Sequence, residues 1–238
     1  MSRVPPLVRS AARRAAIAAM AACIMLSSAL AFAGGSSVFA PDRGKFKIMV
    51  NGMQAGEETF DLSPDGDHWV AHGVTEIQTS AGHERVTGNL LLHPDGTPIR
   101  YDWSTTGAQK AAAAITFKGP VAMIDLHVLG KRPYTQQFTF GSPNIAILDN
   151  NLYDQFGVLA RLYNWRGGGE QTFPVLIPQA LTPGSVTLNS LGPQDAGGGK
   201  KLDELQVKTA DLEVDLYLDG KKLMRIVSPS ANAEIDRE

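Results

Sequence analysis

Apolar side chains recur at every second position along much of this sequence, a period that fits strands and not helices. Phe46, Ile48 and Val50 alternate with Lys45, Lys47 and Met49, as in a strand with one buried face. Asn51-Gly52 follows at once; both residues tolerate positive φ, which marks a tight hairpin. Pro64-Asp65-Gly66 and Pro94-Asp95-Gly96 repeat one turn chemistry, with Pro setting φ and Gly supplying the left-handed position. Strand-like segments lie between and after these turns, at His68–Ile77, Arg85–His93, Thr97–Ser104, Ala112–Lys118, Val121–Leu129 and Tyr134–Phe140. Short turns between consecutive strands predict an antiparallel meander of roughly seven or eight strands from Gly44 to Phe140.

The period then changes. Leu152, Phe156, Leu159 and Tyr163 recur every three or four positions, with Tyr153 and Leu162 widening the stripe, which predicts a long amphipathic helix over about 149–165. Asp149 is placed to cap it, Arg161 and Arg166 suit its C-terminus, and Gly167-Gly168-Gly169 can end it. Strands resume at Thr172–Ile177 and Val186–Leu191, and the clearest alternation runs over Asp211–Asp219. A three-residue loop at Asp219-Gly220-Lys221 would set Met224 opposite Leu216 and Ile226 opposite Val214, with Arg225 meeting Asp215 on the wet face. Ala231–Glu238 reads as a terminal strand.

About a dozen strands cannot lie in one flat sheet, because strand twist accumulates. The expected fold is therefore mainly β: a large curved antiparallel sheet, an open or half barrel, packed around one long amphipathic helix. Two packed sheets with the helix at one end is the alternative. Residues 44–238 read as a single β-rich domain and 34–43 as a flexible N-terminal segment.

The first 33 residues read as a cleaved signal peptide. Arg3, Arg9, Arg13 and Arg14 form a basic start, an Ala-rich uncharged stretch runs from Ala15 to Leu30, and Ala31-Phe32-Ala33 supplies a small-x-small cleavage site. The stretch is short and alanine-rich for a membrane anchor. It also continues past Cys23, where a lipidated cysteine would close it, and Arg13-Arg14 lacks the context of a twin-arginine signal. The whole chain carries a formal charge of −2; without the leader, 18 Lys and Arg stand against 24 Asp and Glu, a net charge of −6. Cys23 is the only cysteine, so the mature chain has no disulfide and no thiolate chemistry. An acidic chain without basic clusters is a poor nucleic-acid partner. The expected location is periplasmic or secreted, with no transmembrane span in the mature chain.

No G-x-S-x-G elbow, phosphate-binding glycine loop or dinucleotide fingerprint is present, and no cofactor is implied. His68 and His72 sit four apart in a strand, roughly 13 Å and too far for one metal; Asp65-Gly66-Asp67 is a turn without further ligands. The sequence implies no metal site and no catalytic set. Asp149, Asn150 and Asn151 with Asp154 and Gln155 form the densest polar group near the expected core. With Tyr163 on the helix stripe, Asp149, Asn150, Asn151 and Gln155 are the candidate ligand-binding residues.

The hairpin Gly44-x-Phe46-x-Ile48-x-Val50-Asn51-Gly52, the block from Leu148 to Gln179 and the end from Leu223 to Glu238 resemble secreted bacterial families described only as domains of unknown function. At fold level, a curved sheet holding a helix is similar to the periplasmic lipoprotein-carrier half-barrels. That resemblance concerns shape. From the expected architecture, a half barrel leaves a concave apolar face, and the expectation is an exported, non-enzymatic envelope protein binding an apolar or amphipathic ligand, such as a lipid, or a segment of an envelope protein in the concavity of its sheet. A structural or interaction module without a small ligand and a secreted hydrolase of unrecognised type are the alternatives.

Overall fold

The structure is a computed structural model that describes residues 37–107, 110–179, 181–195, 200–210 and 212–238. The leader expected over 1–33, its Cys23, and Asp211 lie outside the described residues. A first meander comprises β1 (Asp42–Val50), β2 (Met53–Asp65), β3 (His68–Thr79), β4 (Gly82–Leu92), β5 (Pro98–Thr106), β6 (Ala111–Lys118), β7 (Val121–Val128) and β8 (Tyr134–Thr139). The short strand β9 (Ala146–Ile147) and the helix α1 (Asp154–Leu162) follow. A second meander comprises β10 (Glu170–Ile177), β11 (Thr182–Asp195), β12 (Lys201–Lys208), β13 (Glu213–Asp219), β14 (Lys222–Ser228) and β15 (Ala233–Arg237).

β15 pairs antiparallel with β1, Ile235 facing Ile48, and this pairing fuses the two meanders into one sheet of fifteen strands. Among the described residues, only β9 and β10 run parallel. The edges are β8 and β9. Fifteen strands at strand spacing span about 67 Å if flat, yet Phe140–Ile145 alone joins β8 to β9, a reach of roughly 25 Å. The sheet must therefore curl until its edges approach. It stays open, because no ladder joins β8 to β9. The expected curved antiparallel sheet is present, and Asn51-Gly52 makes the expected hairpin with φ of 51° and 74°.

The expected long helix is not. α1 has nine residues. Asn151 sits in the left-handed region at φ 64°, which keeps 149–152 out of the helix, and Tyr163 is extended at ψ 129°. Gly167 and Gly168 belong to a separate turn, both donating to the Asn164 carbonyl at 3.1 Å. Leu152, Phe156, Leu159 and Tyr163 are all buried, so the apolar spacing reported burial correctly but included irregular backbone at both ends. Asp154 through Arg161 are buried on every side. A helix this short is not stable alone in water; the barrel interior imposes it. Phe156, Leu159 and Ala160 pack with the β1 and β10–β15 side, whereas Leu152 and Val158 pack with the β2–β7 side. α1 thus stands as a pillar dividing the core.

The β13–β14 register also differs from expectation. Gly220-Lys221 is a two-residue loop with Asp219 opposite Lys222, and a bulge beyond Leu218 places Ile226 opposite Leu216 and Arg225 opposite Tyr217. The bulge keeps Leu223 and Ile226 inside, while Arg225 reaches Glu234 at 2.5 Å and Asp236 at 3.3 Å instead of Asp215. Of the segment expected to be flexible, residues 37–43 are held in place. Val38 N–H donates to the Pro94 carbonyl at 3.0 Å, Phe39 is buried, and Asp42 opens β1.

Candidate functional site

The inward face of β2 carries Gly56, Glu58, Phe60 and Leu62, so strand alternation drives a carboxylate into the core. Glu58 is 0 % exposed. It accepts the Tyr153 N–H at 2.6 Å, the Asp154 N–H at 2.8 Å and the Thr75 hydroxyl at 3.0 Å. A helix start leaves N–H groups unsatisfied, and α1 has no side-chain cap of its own. A residue 95 positions earlier supplies one. Space comes from Gly73 and Gly88, paired across β3 and β4: a Cβ on Gly73 would lie 2.7 Å from Asp154 Oδ1, and one on Gly88 2.6 Å from Leu152 Cδ1.

Beside this cap, the Tyr101 hydroxyl donates to Asp149 Oδ2, Gln155 Nε2 donates to the Tyr101 hydroxyl at 3.1 Å, and Gln155 Oε1 accepts the Asp149 N–H at 2.6 Å. Asp149 Oδ1 and Asp154 Oδ1 are buried without a partner. Burial pushes all three carboxyls up: Asp149 to about 8, despite the Tyr101 bond, and Asp154 to about 6. Glu58 rises well above the carboxylate range, with the Asp154 charge adding to burial. The group is an acid cluster held partly protonated, a cost that burial imposes and hydrogen bonds only partly offset.

The other end of α1 is charged and paired. Asp42 lies between Arg161 at 2.7 Å and Arg237 at 2.7 Å, with Asp42 and Arg161 side chains each 4 % exposed. Burial alone would raise the Asp42 carboxyl, but hydrogen bonds from Arg237 and Arg161 outweigh it and hold it below the usual range. Arg161 also donates to the Gly157 carbonyl at 2.7 Å, and Arg237 lies 5.1 Å over the Phe60 ring. Outside this triad is an open cleft of about 580 Å³, lined by Pro41, Asp42, Arg43, Asp61, Leu62, Ser63 and Lys222. Inside it, Asp42 and Leu62 also border a gap of about 10 Å³ against Gly157 and Val158 of the helix, room for about one water. The helix, not a cavity, fills the concavity.

Asp149 and Gln155 meet at Tyr101, inside the wall. Asn150 is exposed and donates its N–H to Gln179 Oε1 at 3.2 Å; Asn151 forms the left-handed bend. Tyr163 is at the far end of α1, its hydroxyl donating to the Gly169 carbonyl at 2.7 Å and its ring edge-on to Trp165. None of the five lines the cleft. Glu58, Tyr101, Asp42 and Arg237 escaped the sequence reading, although a charged residue on the inward parity of β1 or β2 is a readable signal. Among the described residues, no group of three or more His, Cys, Asp or Glu is placed to hold a metal ion, and no helix is long and apolar enough to cross a membrane.

No protein-family model and no curated protein matches the sequence. The likeness to solved structures is one of fold. A beta-barrel-like protein of the domain of unknown function DUF1849 from Brucella abortus superposes with a TM-score of 0.58 at 7 % identity, covering 85 % of this chain and 96 % of that one. A DUF1089 family protein from Pseudomonas aeruginosa gives 0.44 at 12 % identity, covering 73 % and 90 %. At such identities the first likeness shows the fold alone: a barrel-like, mainly β architecture shared with a domain of unknown function.

Proposed function

We propose that this chain is an exported, non-enzymatic envelope protein that binds an amphipathic molecule at the barrel mouth between β1, β2 and β14. The observation that carries this is the cleft of about 580 Å³, within the size range of ligand sites, where the apolar Pro41 and Leu62 lie beside charged side chains. The cleft supports binding better than chemistry. Asp42 is locked by two guanidiniums and Asp61 accepts the Ser63 hydroxyl at 2.5 Å, so neither carboxylate is poised as a base. The leader-like start of the sequence supports export. The test is solvent extraction and mass spectrometry of the protein purified from its native envelope, beside a Ser63→Trp variant that blocks the mouth. A co-purifying amphiphile, depleted in the variant, is the expected result; a folded wild-type protein that carries none and binds no acyl probe would overturn the reading.

A second reading, an interaction module, is favoured by β8, which has a strand neighbour on one side only. Such an edge can accept an extended partner segment by strand addition. Gln137→Pro, which removes a strand N–H, would then abolish partner capture without changing amphiphile binding.

A further inference from the structure

Strand pairing sets Arg43 opposite Asp61 and Lys222 opposite Asp219, arrangements that usually yield cross-strand ion pairs. Neither pair forms. Asp61 is taken by Ser63 at 2.5 Å, and Asp219 by Lys200 at 3.1 Å. Arg43 and Lys222 are left exposed at the cleft with no carboxylate bound among the described residues. Elsewhere on the same sheet Lys45 pairs with Glu57 and Arg225 with Glu234. Behind the two free cations, Asp42 is shared by Arg161 and Arg237, so the triad itself carries excess positive charge. The cleft itself is lined by two cations, Arg43 and Lys222, and two carboxylates, Asp42 and Asp61; Arg161 and Arg237 behind Asp42 tip the local balance to positive, in a chain whose leaderless composition is acidic. Such a rim attracts anions and repels cations over roughly a Debye length of 8–10 Å.

We infer that the mouth selects an anionic head group, a phosphate or carboxylate joined to an acyl chain, and that Arg43 and Lys222 hold it. The inference rests on the reading of this cleft as the ligand site. Arg43 is suited to a planar fork onto an oxyanion and Lys222 to a point charge beside it; Pro41 and Leu62, which line the same cleft, meet the first carbons of the chain.

The experiment is isothermal titration of the full mature protein with dodecyl phosphate, dodecanoate, dodecyl maltoside, dodecyltrimethylammonium and inorganic phosphate, each below micelle formation. Dodecyl phosphate or dodecanoate is expected to bind at least tenfold tighter than the maltoside, and the trimethylammonium compound not at all. The Arg43→Gln/Lys222→Gln variant should bring dodecyl phosphate and dodecanoate to within threefold of the maltoside; both sites are exposed, and its circular dichroism should match wild type. Equal binding of maltoside and the anionic probes would overturn the anionic preference while leaving the mouth reading intact. Binding of no acyl probe would overturn the mouth reading itself. Inorganic phosphate binding as tightly as dodecyl phosphate would overturn the amphiphile in favour of a free anion.

Discussion

Replacing Glu58 by alanine tests whether a strand residue holds the helix. The carboxylate accepts three hydrogen bonds, from Tyr153 N–H, Asp154 N–H and the Thr75 hydroxyl, at a position with no solvent access. Each buried donor left without a partner costs about 1–3 kcal/mol. Part of that sum returns, because the substitution removes a carboxyl that burial and Asp154 both penalise and because water can enter the space. The expected destabilisation is about 3–5 kcal/mol, against about 1 kcal/mol for an ordinary exposed cap, and it corresponds to a fall in Tm of roughly 10 °C for a domain of this size. Glu58→Gln keeps one acceptor oxygen and offers its amide to Asp154, so it should cost less than half as much. Urea unfolding followed by tryptophan fluorescence and far-ultraviolet circular dichroism measures both. If Glu58→Ala lies within about 1 kcal/mol of wild type, the carboxylate does not anchor the helix; Gln as damaging as Ala would instead show that both acceptor oxygens are needed.

Stability should fall as pH rises from about 4 to 8. Asp154 and Asp149 hold protons to about 6 and about 8 in the folded chain, whereas the unfolded chain releases them in the usual carboxylate range, so folding is disfavoured progressively across that window. Asp42, held low, acts oppositely and loses its contribution only at strongly acid pH; thermal melts should peak at about pH 4, and Asp149→Asn should flatten the upper arm. Gly88→Ala should cost about 1–3 kcal/mol by overpacking, since its Cβ would sit 2.6 Å from Leu152 and 2.9 Å from the Tyr101 hydroxyl; an unchanged urea midpoint would refute the close approach. Asp42→Ala should cost about 3–5 kcal/mol by stranding Arg161, and adding Arg161→Met should recover part of it; strict additivity would show the two are uncoupled. Expressed with its leader in a bacterial host, the chain should yield an intact mass beginning at Gly34, and a retained Met1 would rule out cleavage.

Much of the sheet was legible because one face of each strand is buried, and burial writes period two into the residues. Phe46, Ile48, Leu216 and Leu218 are at most 1 % exposed and lie where alternation puts them. β12 went unread because Leu202, Leu205 and Val207 are not evenly spaced and its partner β11 bulges between Ser190 and Gly192, leaving Leu191 exposed. β9 is two residues long, too short for any period. The helix was read too long because the spacing of Leu152, Phe156, Leu159 and Tyr163 records distance from the core. Backbone geometry is set by Asn151 and Tyr163, through conformations their side chains do not announce.

The polar sites were hidden for a different reason. The search for chemistry followed local density, and Asp149, Asn150 and Asn151 are dense; yet the interior is assembled across sequence separations of 95 for Tyr153 with Glu58 and 119 for Arg161 with Asp42. Proximity in sequence carries no information about those pairings. Parity does. Glu58 shares its face of β2 with Phe60 and Leu62, and Asp42 shares its face of β1 with Phe46 and Ile48. A carboxylate on an apolar parity must either flip the strand, against every neighbour, or be carried inward to a partner. Here both are carried inward, one to the N-terminus of the helix and one to its last turn. The two violations of the strand pattern therefore mark the two ends of the helix that fills the curled sheet.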